Sequence, residues 1–177
     1  MDTVIAIGEG AGVALACGIT AAVPLAVAAL AALVIGLPGD RSQLDDGWLV
    51  GAACVLAVVL AAAETRIPRR AQVALRAVFG GIAFELVAGK KLPYVGLAAG
   101  LVLAAIVAIS ATQMLGAAAR AGSALAAALL GAGAAAGWAV AGLVPFVGYA
   151  LAIVAIVLAW RSRRRGDQKY AGLRVLR

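Results

Sequence analysis

From Val95 to Ala119 the chain carries no Asp, Glu, Lys or Arg at all. That run exceeds the roughly 20 apolar residues a helix needs to cross about 30 Å of hydrocarbon. Similar runs recur along the sequence. Hydrophobic residues make up 65% of the 177 and charged residues 13%, against about 45–50% and about 25% in ordinary soluble domains. A soluble chain this small cannot hide so much apolar surface in one core. The pattern excludes a soluble globular domain, a disordered chain and a disulfide scaffold. Polar and apolar residues do not alternate as a membrane barrel requires. What remains is an all-α, polytopic integral membrane protein in the lipid bilayer.

Polar and proline-containing punctuation divides the chain into six candidate transmembrane helices, at about residues 4–36, 48–63, 71–88, 95–119, 123–144 and 146–160. Residues 1–160 then form one transmembrane domain, and 161–177 a basic tail. The first segment is too long for one straight crossing, and Pro24 lies near its middle. Proline removes a backbone donor and crowds the preceding turn. Two readings stay open: one kinked, tilted helix, or a helix followed by a half-helix beginning near Pro24. Gly18 and Thr20 just ahead of the proline favour the break.

Loop charges orient the spans. The first loop holds Asp40, Asp45 and Asp46 against Arg41, whereas the second turn holds Arg66, Arg69 and Arg70, and the fourth Arg120. Six crossings place the two basic turns and both termini on one side, which the positive-inside rule makes cytoplasmic, in an inner (plasma) membrane. Lys90 and Lys91 are the exception. After Trp160, seven basic residues face Asp167 alone. A juxtamembrane cluster of this kind suits anionic lipid rather than nucleic acid. Trp48, Tyr94 and Trp160 fall at segment ends, where aromatic belts form. Asp2 and Glu9, with no Lys or Arg near them, argue against a cleaved leader.

The chain has no histidine, which excludes a His-dependent triad and removes the commonest metal ligand. No phosphate-binding loop motif occurs. The glycine-rich runs GEGAG, FGG and GAGAAAG read as helix-packing faces. Cys17 and Cys54 lie in apolar runs and read as small buried hydrophobes. No metal, cofactor or enzymatic role is expected.

A shift of 90 residues aligns GITAAVPL, from Gly18, with AISATQML, from Ala108, and one of 77 aligns Pro68 with Pro145. Halves at 4–90 and 95–160 would each hold three spans, an odd number, and so form a 3+3 inverted repeat. The alternative is six unrelated helices sharing a compositional bias.

Charges inside spans are costly and mark interiors or watery cavities. Arg76 lies inside the third segment; it either snorkels to the interface or lines a polar cavity with Glu64 or Glu9. Glu85, about 180° round the helix from it, is expected to pair with Lys90 or Lys91. Glu64 and Arg66 are expected to form a local turn pair. Thr20, Ser110, Thr112 and Gln113 are the polar content of the first and fourth segments. Thr20, Pro24, Arg76, Ser110 and Gln113 are therefore the candidate substrate or pore residues, with Glu64, Arg66 and Glu85 as structural charges.

The stretch AGVALACGITAAVPL, a span ending in ETRIP, and LRAVFGG together resemble the bacterial membrane-protein family called domain of unknown function 4126. The resemblance covers roughly the first 90 residues. It implies that Glu64, Arg66 and Pro68 fill the family's acidic–basic–proline turn, and Arg76 and Gly80 its Arg-x-x-x-Gly helix. The chain departs from the family pattern at Ala61, where a further Glu is common, and at Ala77, where proline is frequent. The resemblance implies no activity. Function is expected to be that of a homo-oligomeric transporter or channel for a small anionic or polar solute or lipid headgroup. The competing reading is a non-transporting scaffold whose small-residue faces pack against partner proteins.

Overall fold

The computed structural model describes residues 2–35, 47–64, 66–88, 94–144 and 146–171. These form seven helices and no strand: α1 (Asp2–Cys17), α2 (Val23–Ile35), α3 (Gly47–Glu64), α4 (Arg69–Ala88), α5 (Val95–Ala121), α6 (Ala124–Gly142) and α7 (Val147–Ala171). The first apolar segment is broken: residues 18–22 leave the helical path, and α2 restarts one residue before Pro24. Proline is tolerated in a first turn because its missing N–H would be unpaired there anyway. By length and composition α4, α5 and α6 can each cross a membrane, and Thr3–Cys17, Val23–Val34, Val50–Glu64 and Val147–Leu158 form shorter apolar helices.

α1 is the axis of the bundle. Every residue from Gly8 to Cys17 is buried, as expected of a helix without a polar face. α4, α5, α6 and α7 pack around it, while α2 lies between α3 and α6. Packing follows rows of small residues four apart. α5 buries Gly96, Gly100, Ala104, Ala108 and Thr112; α6 buries Ala127, Gly131, Ala135 and Ala139, and then Gly142 three residues on. On α4 the same spacing runs through Arg76, Gly80, Phe84 and Ala88.

The helix axes approach closely where glycines meet. A side-chain carbon on Gly12 would lie 2.5 Å from Gly142 Cα, and one on Gly148 would run into the backbone oxygen of Gly8. Tyr149 Oη donates to the Val4 carbonyl at 2.6 Å, fastening the start of α7 to α1. Such seams gain van der Waals contact and bring backbone dipoles together where water is excluded.

Several expectations change. α7 continues to Ala171, so Trp160 lies inside a helix and residues 161–171 of the basic tail are helical. The reason is local: Arg, Gln and Lys are good helix formers, and a single Gly166 does not stop the helix. Residues 172–177, the acidic loop with Asp40, Asp45 and Asp46, and Lys90 and Lys91 lie outside the described residues. α5 runs unbroken through 108–115, the stretch aligned with the break at 18–25. Cys17 and Cys54 are both free thiols.

Candidate functional site

α3 ends at Glu64 and α4 begins at Arg69, joined by the short turn that contains Pro68. Gln72, in the first turn of α4, closes this corner. Its side-chain amide donates to the Glu64 carbonyl at 2.5 Å and to the Ile67 carbonyl at 3.0 Å, satisfying acceptors that a helix C-terminus leaves open. One turn further along α4, Arg76 reaches back to the Glu64 carboxylate. Arg76 Nη2 lies 3.1 Å from Glu64 Oε2, and Nε lies 3.4 Å from Oε1. This two-point, charge-assisted contact is the one guanidinium geometry favours. The pair is buried, with side-chain exposures of 5% for arginine and 11% for glutamate.

Glu64 has a further duty. Its Oε1 accepts the Ala21 backbone N–H at 3.0 Å, so the carboxylate holds the broken segment 18–22 from the side. Breaking a helix frees backbone groups that need partners in a dry interior. Here a carboxylate on another helix supplies one. The same break puts Thr20 at the same level, 9% exposed, with its hydroxyl unpaired.

Beside this cluster lies a recess of about 340 Å³, at the low end of the roughly 300–1,000 Å³ typical of small-molecule sites. Thr20, Glu64, Gln72, Arg76 and Thr112 supply its polar wall; Arg69 and residues of α5 and α6 near their shared turn supply its rim. Much of the rest is Ala and Gly. Two guanidinium groups thus stand against one carboxylate. Thr112 Oγ1 donates back to Ala108 O at 2.8 Å and Ile109 O at 3.0 Å, the usual habit of Thr inside helices. Arg76 is different, because its Nη1 is buried and finds no protein acceptor. Glu64 occupies one edge of that guanidinium and leaves the other with donors to spare.

The candidates named from sequence separate clearly. Thr20 and Arg76 line the recess. Pro24 is buried in the core at the start of α2. Ser110 is half-buried and Gln113 exposed, and neither lines the recess. The buried row of α5 passes through Ala108 and Thr112, which turns positions 110 and 113 away from the recess. Arg76 does not snorkel: it is 4% exposed. Glu64 meets Arg76 rather than its neighbour Arg66, which is exposed. Glu85 is half-buried, with Oε2 unpaired near the start of α5. Its expected partners lie outside the described residues. Arg69, Gln72 and Thr112 were not among the candidates. The i, i+4 spacing of Gln72 and Arg76, and of Ala108 and Thr112, was the available signal.

Among the described residues no cluster of metal-binding side chains occurs. No family model, curated protein or solved structure matches the chain.

Proposed function

We propose that the chain is a multi-pass inner-membrane protein that transports or conducts a small anionic or polar solute through the recess beside Arg76. The observation that carries this reading is a buried guanidinium with one edge paired to Glu64, an Nη1 that has no protein acceptor, and a recess that Arg76 helps to line. A charge is costly inside a membrane protein, and where one occurs it usually faces a bundle interior or a water-filled cavity that serves a solute or proton path. A fully packed interior around Arg76 would have favoured the scaffold reading instead.

The arrangement supports several finer statements. α1 and α2 together count as one interrupted crossing, giving six spans. The α3–α4 and α5–α6 turns both edge the recess, and Arg66, Arg69, Arg70 and Arg120 cluster there, which by the positive-inside rule makes the mouth cytoplasmic. The termini follow on the same side, where the basic end of the chain meets anionic lipid. The inverted repeat becomes two three-span halves in which the first copy alone is broken. The positions that carry the family resemblance, Glu64, Pro68, Arg76 and Gly80, build the corner, the ion pair and a close α4–α5 approach. Homo-oligomers are part of the proposal, resting on the exposed apolar faces of α6 and α7.

Purified protein in proteoliposomes tests this. Arg76→Lys keeps a positive charge for Glu64 but removes the free guanidinium edge. Anion flux should fall at least about tenfold, the worth of a hydrogen bond to a charged group. Ser110→Ala, away from the recess, should leave flux unchanged. Wild-type flux in Arg76→Lys, or none above empty vesicles in the wild type, overturns the transport reading.

A further inference from the structure

We infer that the recess is a phosphate-type oxyanion site, read by Arg76 Nη1 and the Thr20 hydroxyl; this rests on the recess reading above and specifies its ligand.

Three observations carry it. First, two residues that line the recess each carry a buried donor with no protein partner: Arg76, 4% exposed, at Nη1, and Thr20, 9% exposed, at Oγ1. Leaving a buried polar group unpaired costs about 1–3 kcal/mol, and more for a charged one. Two such groups on one wall are accounted for when a ligand completes them. Second, the sign is fixed. Arg69 and Arg76 against Glu64 leave one net positive charge among the ionisable residues of the wall, and α2 presents its N-terminal end there through Val23, the positive end of its dipole. An anion restores neutrality; a cation would meet two guanidinium groups. Third, the acceptors select a ligand that also bears a proton. The Gln72 amide nitrogen is engaged with Glu64 O and Ile67 O, so its Oε1 is the amide's remaining hydrogen-bonding atom. The Thr112 hydroxyl hydrogen is committed to its own helix, leaving oxygen lone pairs. A hydrogen phosphate or phosphate monoester both accepts and donates; chloride cannot donate, and a simple carboxylate has no hydroxyl.

The size agrees. About 340 Å³ is the liquid volume of roughly ten waters, larger than a bare ion requires. The shared chemistry is a phosphate group that keeps a hydroxyl, either free in the cytoplasm or as the monoester head of phosphatidic acid, whose glycerol would occupy the Ala/Gly-lined remainder.

The test is binding, independent of flux. Protein in phosphatidylcholine nanodiscs is titrated with inorganic phosphate and with glycerol 3-phosphate, following heat or ³¹P line width. Saturable binding is expected, weakened about tenfold in Thr20→Val and at least tenfold in Arg76→Lys, as for hydrogen bonds to a charged group. Ser110→Ala should bind like wild type. Repeating the titration in nanodiscs that contain phosphatidic acid separates the sources. Loss of phosphate binding there identifies a lipid headgroup as occupant, and unchanged binding identifies the free anion. No saturable binding of inorganic phosphate or glycerol 3-phosphate, together with no difference between the two lipids, overturns the inference. So does equal affinity in Thr20→Val and wild type. Binding without flux removes the transport reading and leaves the site; flux of another solute without phosphate binding removes the site and leaves transport.

Discussion

Arg76→Ala should destabilise the protein by about 3–5 kcal/mol, the cost of stripping one partner from a buried ion pair. The loss arises mainly from what is left behind. Glu64 would keep its charge among α3, α4 and the broken segment with only the Ala21 N–H for company. Glu64→Ala should be equally severe or worse, because it orphans the guanidinium and also releases the backbone at 18–22. Removing both charges is a different matter. The Glu64→Gln/Arg76→Met pair retains an acceptor for Ala21 and roughly fills the volume, so it should recover most of the loss, since buried pairs barely repay their desolvation. Thermal or denaturant unfolding in detergent across this double-mutant cycle measures the coupling. A double variant as unstable as either single would show that the pair contributes stability beyond mutual neutralisation. An Arg76→Ala protein as stable as wild type would remove the ion pair as a structural element.

The second large effect is steric. Gly148→Ala should cost about 3 kcal/mol or more, at or beyond the top of the usual overpacking range, since the added methyl meets the Gly8 backbone oxygen rather than a movable side chain. Gly12→Ala should behave similarly against Gly142. Gly133→Ala and Gly137→Ala, on the open face of α6 with nothing within 4 Å of the added carbon, should instead gain about 0.5–1 kcal/mol, the helical preference for Ala over Gly. Recovery of folded protein and its unfolding midpoint distinguish the two pairs. Equal tolerance at all four positions would mean that α1, α6 and α7 do not meet at these glycines.

The contrast between the glycine pairs marks what is legible in a sequence of this kind. Composition announces that small residues pack somewhere, yet GAGAAAG on α6 mixes both kinds. A carbon added to Gly131 would meet Leu115, whereas one added to Gly133 would meet nothing within 4 Å. The same holds for polar residues. Thr20, Ser110, Thr112 and Gln113 look alike as exceptions within apolar runs. Two of them line the recess: Thr20 from the break ahead of α2, and Thr112 from the four-residue row of α5 that also passes through 108. The first helix could be read further, since Pro24 together with Gly18 and Thr20 marked the break. What the break is for could not be read, because the carboxylate that holds it comes from a residue 43 positions away.

By itself the sequence determined the helical class, the apolar segments, the choice between a kink and a break around Pro24 and the presence of Arg76 among residues that cannot pair with it locally. These follow from hydropathy, helix length and backbone chemistry, which act over one or two turns. The tertiary structure alone decided that Glu64 turns from Arg66 to Arg76 and to the Ala21 N–H. It also decided that Arg76 and Thr20, each with a buried donor left unpaired, line a common recess. Those choices depend on which helix faces meet, and in a chain built so largely of Ala, Gly, Val and Leu that is set by close packing between helices far apart in sequence.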